Sequence, residues 1–501
     1  MEQVFDVAIV GGGINGCGCA ADAALRGLSV ILIEQDDIAS KTSSKSTKLI
    51  HGGLRYLENY DFSLVKKALD ERQKLLQIAP HLVHPLGLIL PHQKNMRPLW
   101  LLRIGLFFYD YLSRINKLPH STLVGRRKHT NYFSPLSKSF DSGFLFYDAT
   151  ADDARLTLEN ALQAKLHGAT IMPHTKLIKA QVIDQQWQLS LQPKDGSFRQ
   201  IKAKTIINTA GPWVEAVNQL LSIPSAYPMA LVKGSHIIVE KLYEGEHAYM
   251  LQHSDKRIVF VIPYHDHTLI GTTDVPFSGA LDEINIDENE INYLCTLVNQ
   301  YFNKQISNSD IIDTWSGIRP LLSETDKSAS SLSRDYAYHY VNAPAPAVSV
   351  YGGKITTYRQ LASQVVSELH EIFPNLPHSS TESTPLPGAW TSNMSFSEYQ
   401  HYVYHKYTWL EERTKERYLN TYGTRMDLIL AGRNDIASLG RYFAPTLYQV
   451  EIDYLIDNEW AISSEDILWR RTKLGLVINA QEQAALGDYL LERTRISDYE
   501  T

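Results

Sequence analysis

The chain has 501 residues, which is enough for two or three domains with large apolar cores. Its net charge of −7 argues against a nucleic-acid partner. Three cysteines, Cys17, Cys19 and Cys295, are too few for a disulfide framework and indicate a reducing compartment. We expect no metal site, since no H-E-x-x-H motif or metal-binding cysteine pair occurs. The early acidic residues predict no signal peptide, and the lack of a long uncharged apolar run predicts no transmembrane helix.

The first predicted elements are a short buried strand, VAIV, a glycine-rich turn and an alanine-rich helix. The turn matches G-x-G-x-x-G with Gly11, Gly13 and Gly16. The first glycine permits the tight turn, the second lets the backbone approach a pyrophosphate, and the third allows close helix packing. A second strand, 29–33, ends at Glu34, whose carboxylate suits a ribose hydroxyl and disfavours a 2′-phosphate. The pattern predicts a Rossmann-type unit that binds NAD or FAD.

Two later segments also join a strand end to a glycine turn. Strand 205–209 runs into Gly211, and strand 348–351 runs into a glycine pair that includes Gly353, just before a predicted helix. Helix N-termini at strand ends bind anions, so three such elements favour one extended cofactor held by an interrupted domain. Taken singly, each later turn could equally be an ordinary strand-to-helix loop.

Several motifs resemble those of the FAD-dependent glycerol-3-phosphate dehydrogenases, which belong to the D-amino-acid-oxidase-like flavoproteins. Besides the glycine turn, they are TSSKSTKLIHGGLRYLE (42–58), LVKGSH (231–236), VFVIPY (259–264), LIGTTDV (269–275), SGIRPL (316–321), YGGKITTYR (351–359) and WRRTKLGL (469–476). The resemblance covers nearly the whole chain. It implies FAD, sn-glycerol 3-phosphate as substrate, dihydroxyacetone phosphate as product, hydride transfer from C2 to flavin N5, and membrane quinone as electron acceptor.

The resemblance also implies an α/β fold with a Rossmann-type FAD-binding domain, interrupted by an antiparallel-sheet substrate domain and followed by an α-helical C-terminal domain. The predicted boundaries are 1–90, 140–225 and 340–374 for the FAD-binding domain, 91–139 for a membrane-contacting segment, 226–339 for the substrate domain, 375–388 for a linker and 389–501 for the helical domain. The C-terminal domain could serve in dimerisation, in membrane docking or as a structural cap, so a homodimer is one of the alternatives.

His51 and Arg319 are the predicted catalytic residues. Histidine titrates near neutrality and suits the removal of a hydroxyl proton, although His51 could instead cap a helix or fill the core. Arg319 precedes a proline, which favours an extended backbone, and its guanidinium could stabilise an alkoxide or the reduced flavin ring.

A phosphorylated substrate requires several fixed cations, with arginine preferred for bidentate contacts. The predicted residues at the substrate phosphate are Arg55, Arg334, Lys354 and His236, although the cations could equally lie on the solvated surface. The predicted FAD-binding residues are Gly11, Gly13, Gly16, Glu34, Ser43, Ser44, Lys48, Leu49, Gly52, Gly211, Gly353, Lys354 and Thr356.

Residues 94–128 are basic and rich in aromatic side chains, in contrast to the acidic chain as a whole. The predicted amphipathic helix Leu99–Lys117 carries a polar face formed by Arg103, Asp110, Arg114 and Lys117. Such a helix suits an anionic membrane surface, whereas the alternative is a core helix with its aromatic side buried. We therefore expect a peripheral protein at the cytoplasmic face of the inner (plasma) membrane.

Other functions stay open from the sequence. The enzyme could be a glycerol-3-phosphate oxidase that uses oxygen, an amine or amino-acid oxidase of the same fold, or a simple NAD dehydrogenase. It could also be a non-catalytic flavin-binding membrane protein. The predicted membrane helix argues against an oxidase, and several cations suit a phosphate better than a single carboxylate.

Overall fold

The computed structural model describes residues 4–93, 96–253, 257–323, 335–391 and 394–500. The strands are β1 (Val4–Val10), β2 (Val30–Ile33), β3 (Leu49–Ile50), β4 (Val83–His92), β5 (Thr122–Gly125), β6 (Ser142–Ala151), β7 (Thr170–Met172), β8 (Thr175–Ile183), β9 (Gln186–Pro193), β10 (Arg199–Asn208), β11 (Met229–Glu240), β12 (Ala248–Gln252), β13 (Ile258–Tyr264), β14 (His267–Gly271), β15 (Val275–Pro276), β16 (Ile311–Leu322), β17 (Tyr336–Val341), β18 (Ala347–Gly352), β19 (Tyr442–Ala444) and β20 (Leu447–Tyr448).

The helices are α1 (Ile14–Leu25), α2 (Phe62–Ile78), α3 (Leu99–Tyr111), α4 (Thr130–Phe133), α5 (Asp153–Leu166), α6 (Val214–Leu221), α7 (Glu288–Tyr301), α8 (Tyr358–Ser367), α9 (Phe396–Lys406), α10 (Glu412–Tyr422), α11 (Met426–Ile429), α12 (Gln449–Glu459) and α13 (Ala480–Glu500). Within the described ranges, no helix has both the length and the apolar character needed to cross a bilayer.

The first sheet has the strand order β17-β18-β10-β1-β2-β7, with β9 and β8 added beside β10. The strands β18, β10, β1, β2 and β7 run parallel, and β17 and β9 pair antiparallel to their neighbours. Small residues of α1 pack with α5 and α8 over this sheet, and Ala20 and Ala23 are fully buried there. These short side chains let the helix lie close to the strands, as the alanine-rich sequence predicts. The predicted Rossmann-type unit is therefore confirmed.

The second sheet has the order β15-β11-β14-β13-β12-β4-β6-β3, with β16 beside β11 and β5 beside β6. Most of its pairs are antiparallel, and the long pair of β11 with β16 sets Val232 opposite Arg319. An apolar core lies on each face: one includes residues of α7, and the other includes Leu69 and Leu106 from α2 and α3. The antiparallel sheet predicted for the substrate domain is confirmed in architecture.

The strands β4 and β6 lie in the second sheet, although the sequence analysis assigns residues up to 90 and from 140 to the FAD-binding domain. The strand β5 and the buried Phe133 likewise attach part of segment 91–139 to this sheet. Periodicity predicts that a segment is a strand, but it does not say which sheet the strand joins. The predicted domain boundaries near residues 90 and 140 therefore do not coincide with the division between the two sheets.

The helices after residue 394 form their own core, with a two-stranded pair of β19 and β20. Buried ion pairs attach this unit to the first sheet: Arg155 on α5 contacts Glu459 on α12 at 2.5 Å, and Asp37 contacts Arg471 at 2.5 Å. The predicted linker 375–388 is also packed, since Leu386 is buried. The C-terminal helical domain of the prediction is confirmed.

Candidate active site and cofactor cavity

A cavity of about 820 Å³ lies between the two sheets. The carboxyl ends of β1, β2, β10 and β18 reach it from the first sheet, and β11, β13 and β16 line it from the second. Ligands of open parallel sheets bind at such strand ends. The predicted site residues that line it are Gly11, Gly13, Glu34, Ser43, Leu49, His51, Arg55, Gly211, His236, Arg319, Gly353, Lys354 and Thr356.

The glycine turn at the start of α1 leaves backbone exposed to the cavity. Gly11 has a φ of +111°, and a Cβ there would lie 2.6 Å from the carbonyl oxygen of Thr209. Only Ser43 Oγ, at 3.1 Å, would contact a Cβ on Gly13. A pyrophosphate could therefore approach the backbone at the N-terminus of α1. The geometry of this turn fits the phosphates of a dinucleotide.

Glu34 lies directly after β2 at the adjoining part of the cavity. Its Oε2 accepts a hydrogen bond of 2.6 Å from Gly12 N–H, and its Oε1 accepts one of 2.8 Å from Asp36 N–H. Burial raises the pKa of Glu34, and these two backbone donors oppose that effect. The carboxylate is thus fixed where the sequence predicts a contact with ribose.

Four predicted cofactor residues do not line the cavity. Gly16 serves helix packing, because a Cβ there would clash with the carbonyl oxygen of Gly11. Gly52 turns away, and its N–H donates to the Tyr109 hydroxyl at 2.8 Å. The other two, Ser44 and Lys48, belong to the loop before β3.

The side chains of Ser44 and Lys48, two of the predicted cofactor-binding residues, are directed away from the cavity. Lys48 Nζ donates to Asp153 Oδ1 and to the Ser44 carbonyl oxygen, both at 2.7 Å, and lies 4.8 Å from the centre of the Trp315 ring. Burial lowers the pKa of Lys48 to about 8, although the Asp153 carboxylate favours its charge. Ser44 Oγ donates to the Lys41 carbonyl oxygen at 3.2 Å. These side chains hold the loop in place.

His51 directly precedes the glycine pair of the HGG motif, and it lines the cavity. Its backbone N–H donates to Thr356 Oγ1 at 3.4 Å, and its ring packs edge-on against Phe260, with 6.0 Å between centroids. Gly53 follows with a φ of +78° and allows the turn into a short 3-10 helix, Leu54–Asn59. The imidazole therefore stands at the cavity wall, held by the turn and by the second sheet.

Arg319 lies in β16, as the proline after it predicts. Its guanidinium pairs with the Asp274 carboxylate, and its Nη2 donates to Thr272 Oγ1 at 2.6 Å. It also lies against Gly234, where any Cβ would clash with the guanidinium. Sequence reasoning missed Gly234, Thr272 and Asp274, although they stand within the LVKGSH and LIGTTDV motifs.

His236 is buried in β11 and lines the cavity. Its Nε2 lies 2.9 Å from Thr47 Oγ1, and its ring packs against Trp315 with 5.5 Å between centroids. Burial and the nearby cations Arg319 and Lys48 keep the pKa of His236 well below its usual value. A pKa this low favours the neutral imidazole, so His236 adds no positive charge to the cavity wall.

Two of the predicted phosphate cations, Arg55 and Lys354, line the same cavity. Lys354 Nζ lies 5.1 Å from the centre of the Tyr56 ring. The guanidinium of Arg97 lies near that of Arg55. Burial and the positive charge of Arg55 together lower the pKa of Arg97. The fourth predicted residue, Arg334, lies outside the described residues.

The apolar face of α3, defined here as Trp100, Leu101, Ile104, Phe107 and Phe108, is exposed. The core-helix alternative is therefore wrong, since Trp100 is 65% and Phe107 57% exposed. Two details of the prediction also differ. The helix ends at Tyr111 instead of Lys117. Asp110 is buried, because its carboxylate accepts hydrogen bonds of 2.9 and 2.6 Å from Ser121 N–H and Oγ.

Comparisons with known proteins agree with this geometry. Residues 6–358 match the family described as FAD dependent oxidoreductase, and residues 379–497 match the C-terminal domain of alpha-glycerophosphate oxidase. The chain is 46% identical to a glycerol-3-phosphate dehydrogenase of Pseudomonas aeruginosa, over 98% of this chain and 96% of that protein. It is 41% identical to a D-erythritol 1-phosphate dehydrogenase of Brucella abortus, over 97% of this chain and 98% of that one.

The fold is also similar to a crystal structure of the glycerol-3-phosphate dehydrogenase from Bacillus halodurans complexed with FAD. The TM-score is 0.78 at 24% identity, covering 100% of this chain and 91% of that one. The glycine turn, Glu34 and the two later turns form a cavity that suits the same cofactor. The chain belongs to the FAD-dependent oxidoreductase family and is an enzyme of that family, related over nearly its whole length to the glycerol-3-phosphate dehydrogenases.

Proposed function

We propose that the enzyme oxidises sn-glycerol 3-phosphate to dihydroxyacetone phosphate and passes the electrons to membrane quinone. The observation that carries this proposal is the meeting of His51, Arg319, Arg55 and Lys354 around one cavity that also contains the dinucleotide cradle. The cations suit a phosphomonoester, and the imidazole suits an alcohol. The relationship to glycerol-3-phosphate dehydrogenases supports the same substrate.

When bound, FAD supplies the acceptor for the hydride that leaves C2 of the substrate. His51 takes the proton of the C2 hydroxyl as the hydride leaves, so the alcohol loses two electrons and two hydrogens in total. Arg319, held in place by Asp274 and Thr272, stabilises negative charge that develops on the C2 oxygen. Arg55 and Lys354 bind the phosphate and fix C2 within reach of the hydride acceptor.

We propose that the apolar face of α3 lies in an anionic membrane surface. The exposed side chains of Arg103, Arg114 and Lys117 on and just after the helix complement lipid phosphates, and the exposed aromatic residues suit the apolar layer below them. This arrangement would bring the enzyme to quinone at the cytoplasmic face of the inner membrane.

The test is an anaerobic addition of sn-glycerol 3-phosphate to the FAD-loaded enzyme, followed by absorbance. We expect the flavin band to bleach and to return much faster with quinone than with air. Return in air at an equal rate would instead favour an oxidase. D-erythritol 1-phosphate is the second substrate to test, because the Brucella abortus relative bears that name. A yellow enzyme that neither polyol phosphate bleaches would contradict the proposal.

A further inference from the structure

Tyr109 differs from the apolar face of α3 because its side chain points into the protein and is buried. Its hydroxyl donates to the Asp148 carboxylate, with 2.7 Å to Oδ2 and 2.8 Å to Oδ1. It also accepts a hydrogen bond of 2.8 Å from the backbone N–H of Gly52. One hydroxyl therefore connects the exposed helix to the turn 51–53, whose outer residues line the cavity.

The rest of this network is buried and closely packed. Arg72 Nη1 donates to Asp148 Oδ1 at 2.6 Å, which fixes the carboxylate that holds Tyr109. A Cβ on Gly52 would lie 2.7 Å from the Tyr109 hydroxyl and 2.5 Å from Leu69 Cδ2. The glycine at position 52 therefore serves the close approach of the turn to Tyr109, and its N–H also donates to Asp148 Oδ1 at the longer distance of 3.2 Å.

We propose that Tyr109 is a positioning residue that makes the geometry of the turn 51–53 depend on the contact between α3 and a membrane. The proposal rests on the proposed function, in which α3 lies in lipid and His51 accepts the substrate proton. An exposed apolar face is poorly accommodated by water, so lipid stabilises one position of α3. Through the hydrogen bond between Tyr109 and Gly52 N–H, the position of α3 determines the position of the neighbouring His51. A small displacement of the His51 imidazole changes the rate of proton transfer strongly.

The direct test is hydrogen exchange of the full-length, FAD-loaded protein, followed by mass spectrometry of peptides that contain the turn 51–53. Vesicles of phosphatidylethanolamine and phosphatidylglycerol are the membrane probe. In the wild type we expect slower exchange in these peptides once vesicles are present. In Tyr109→Phe we expect about tenfold faster exchange at Gly52, because its N–H loses the shorter of its two hydrogen bonds and keeps only the 3.2 Å bond to Asp148, and we expect no response to vesicles.

Tyr111→Phe is the matched control, because it removes a hydroxyl from the same helix. Tyr111 is 56% exposed and stacks on His120, with 4.8 Å between ring centroids. We expect its exchange and vesicle response to equal those of the wild type. Asp148→Asn is the second variant: it weakens the acceptor of the Tyr109 hydroxyl while keeping the side-chain shape, and should also lose the response. It decides the question if Tyr109→Phe does not fold.

Enzyme kinetics give a further readout. We expect vesicles to raise the rate of flavin reduction in the wild type, and Tyr109→Phe to lose most of this increase with KM changed less than about twofold. Flotation with vesicles tests the membrane contact of α3 separately from the coupling through Tyr109. If the wild type does not float, the membrane contact fails, and the coupling fails with it. If both proteins float equally and both show slower exchange, the coupling is wrong and the membrane contact stands.

Discussion

The guanidinium of Arg319 is anchored by the carboxylate of Asp274 and occupies the space where a side chain on Gly234 would stand. The absence of a side chain at position 234 is what lets Arg319 reach Asp274 and Thr272 together. In the proposed mechanism, an arginine fixed in this way does not need to reorganise as negative charge develops on the substrate.

Gly234→Ala should therefore displace Arg319 without unfolding the sheet, because the clashing atoms are the end of the flexible Arg319 side chain and the Thr272 hydroxyl, and none belongs to the backbone. We expect kcat to fall about a hundredfold to a thousandfold, in line with the loss of one oriented donor, while FAD remains bound. Steady-state kinetics and the flavin absorbance of the purified variant measure both quantities. Gly125→Ala is the control, since its Cβ would make only an ordinary contact, 3.5 Å from the Asp141 carbonyl oxygen. Full activity of Gly234→Ala would contradict the role of this close approach.

Arg55→Ala should weaken the binding of the substrate phosphate. A hydrogen bond to a charged group contributes about 1.5–3 kcal/mol, so we expect kcat/KM for sn-glycerol 3-phosphate to fall about tenfold to a hundredfold. Glycerol, which carries no phosphate, should be oxidised equally poorly by the variant and the wild type. The exposed Arg199 on β10 provides the control for loss of a positive charge. An equal loss with glycerol would show that Arg55 acts on the reacting carbon or the fold instead.

Phe107→Ser should weaken binding to anionic vesicles, because it removes one of the most exposed rings from the apolar face of α3. The matched control is Phe198→Ser, since Phe198 is 61% exposed but lies outside α3. Flotation of both variants with vesicles of phosphatidylethanolamine and phosphatidylglycerol measures the difference. Equal flotation of the two variants would argue that another surface contacts the membrane.

The glycine turn and Glu34 could be predicted from the sequence because their structure is local. A strand, a turn and a helix within thirty or so residues determine it, as the Rossmann pattern requires. Arg319 was predictable for a similar reason, since the following proline and the SGIRPL motif fix its backbone and its place. The spacing of charged and aromatic residues likewise predicted an amphipathic helix in the region of α3, although the predicted end, Lys117, lies beyond the observed end at Tyr111.

The errors have a common cause in contacts between distant parts of the chain. Lys48 turns away from the cavity because Asp153, on α5, provides a buried carboxylate. Gly52 is directed away from the cavity because its N–H donates a hydrogen bond to the Tyr109 hydroxyl. Asp110 leaves the polar face of α3 because it accepts hydrogen bonds from Ser121. Sequence spacing gives the face of an element, but not the partner that a tertiary fold brings to it.

Acid should destabilise the fold through buried neutral histidines. His81 is fully buried, and neither ring nitrogen has a hydrogen-bond partner among the described residues; Nε2 lies 3.9 Å from Glu159 Oε2. Burial, with Arg155 and His84 nearby, keeps the pKa of His81 well below 6.5. The unfolded chain therefore takes up a proton near pH 6.5 that the folded protein does not, so this stability is complete above that pH and is lost below it.

His81→Leu should reduce this loss. Each such histidine lowers the free energy of unfolding by about 1.4 kcal/mol per pH unit below pH 6.5, and His236 contributes in the same direction. Urea unfolding between pH 7.5 and pH 5, followed by fluorescence, should show a shallower decline in the variant than in the wild type, by about that amount per pH unit. His378→Leu, at an exposed position, is the control and should leave the slope unchanged. The same slope in all three proteins would mean that the ring of His81 takes up a proton in the folded state, where the Glu159 carboxylate is the nearest group able to stabilise it.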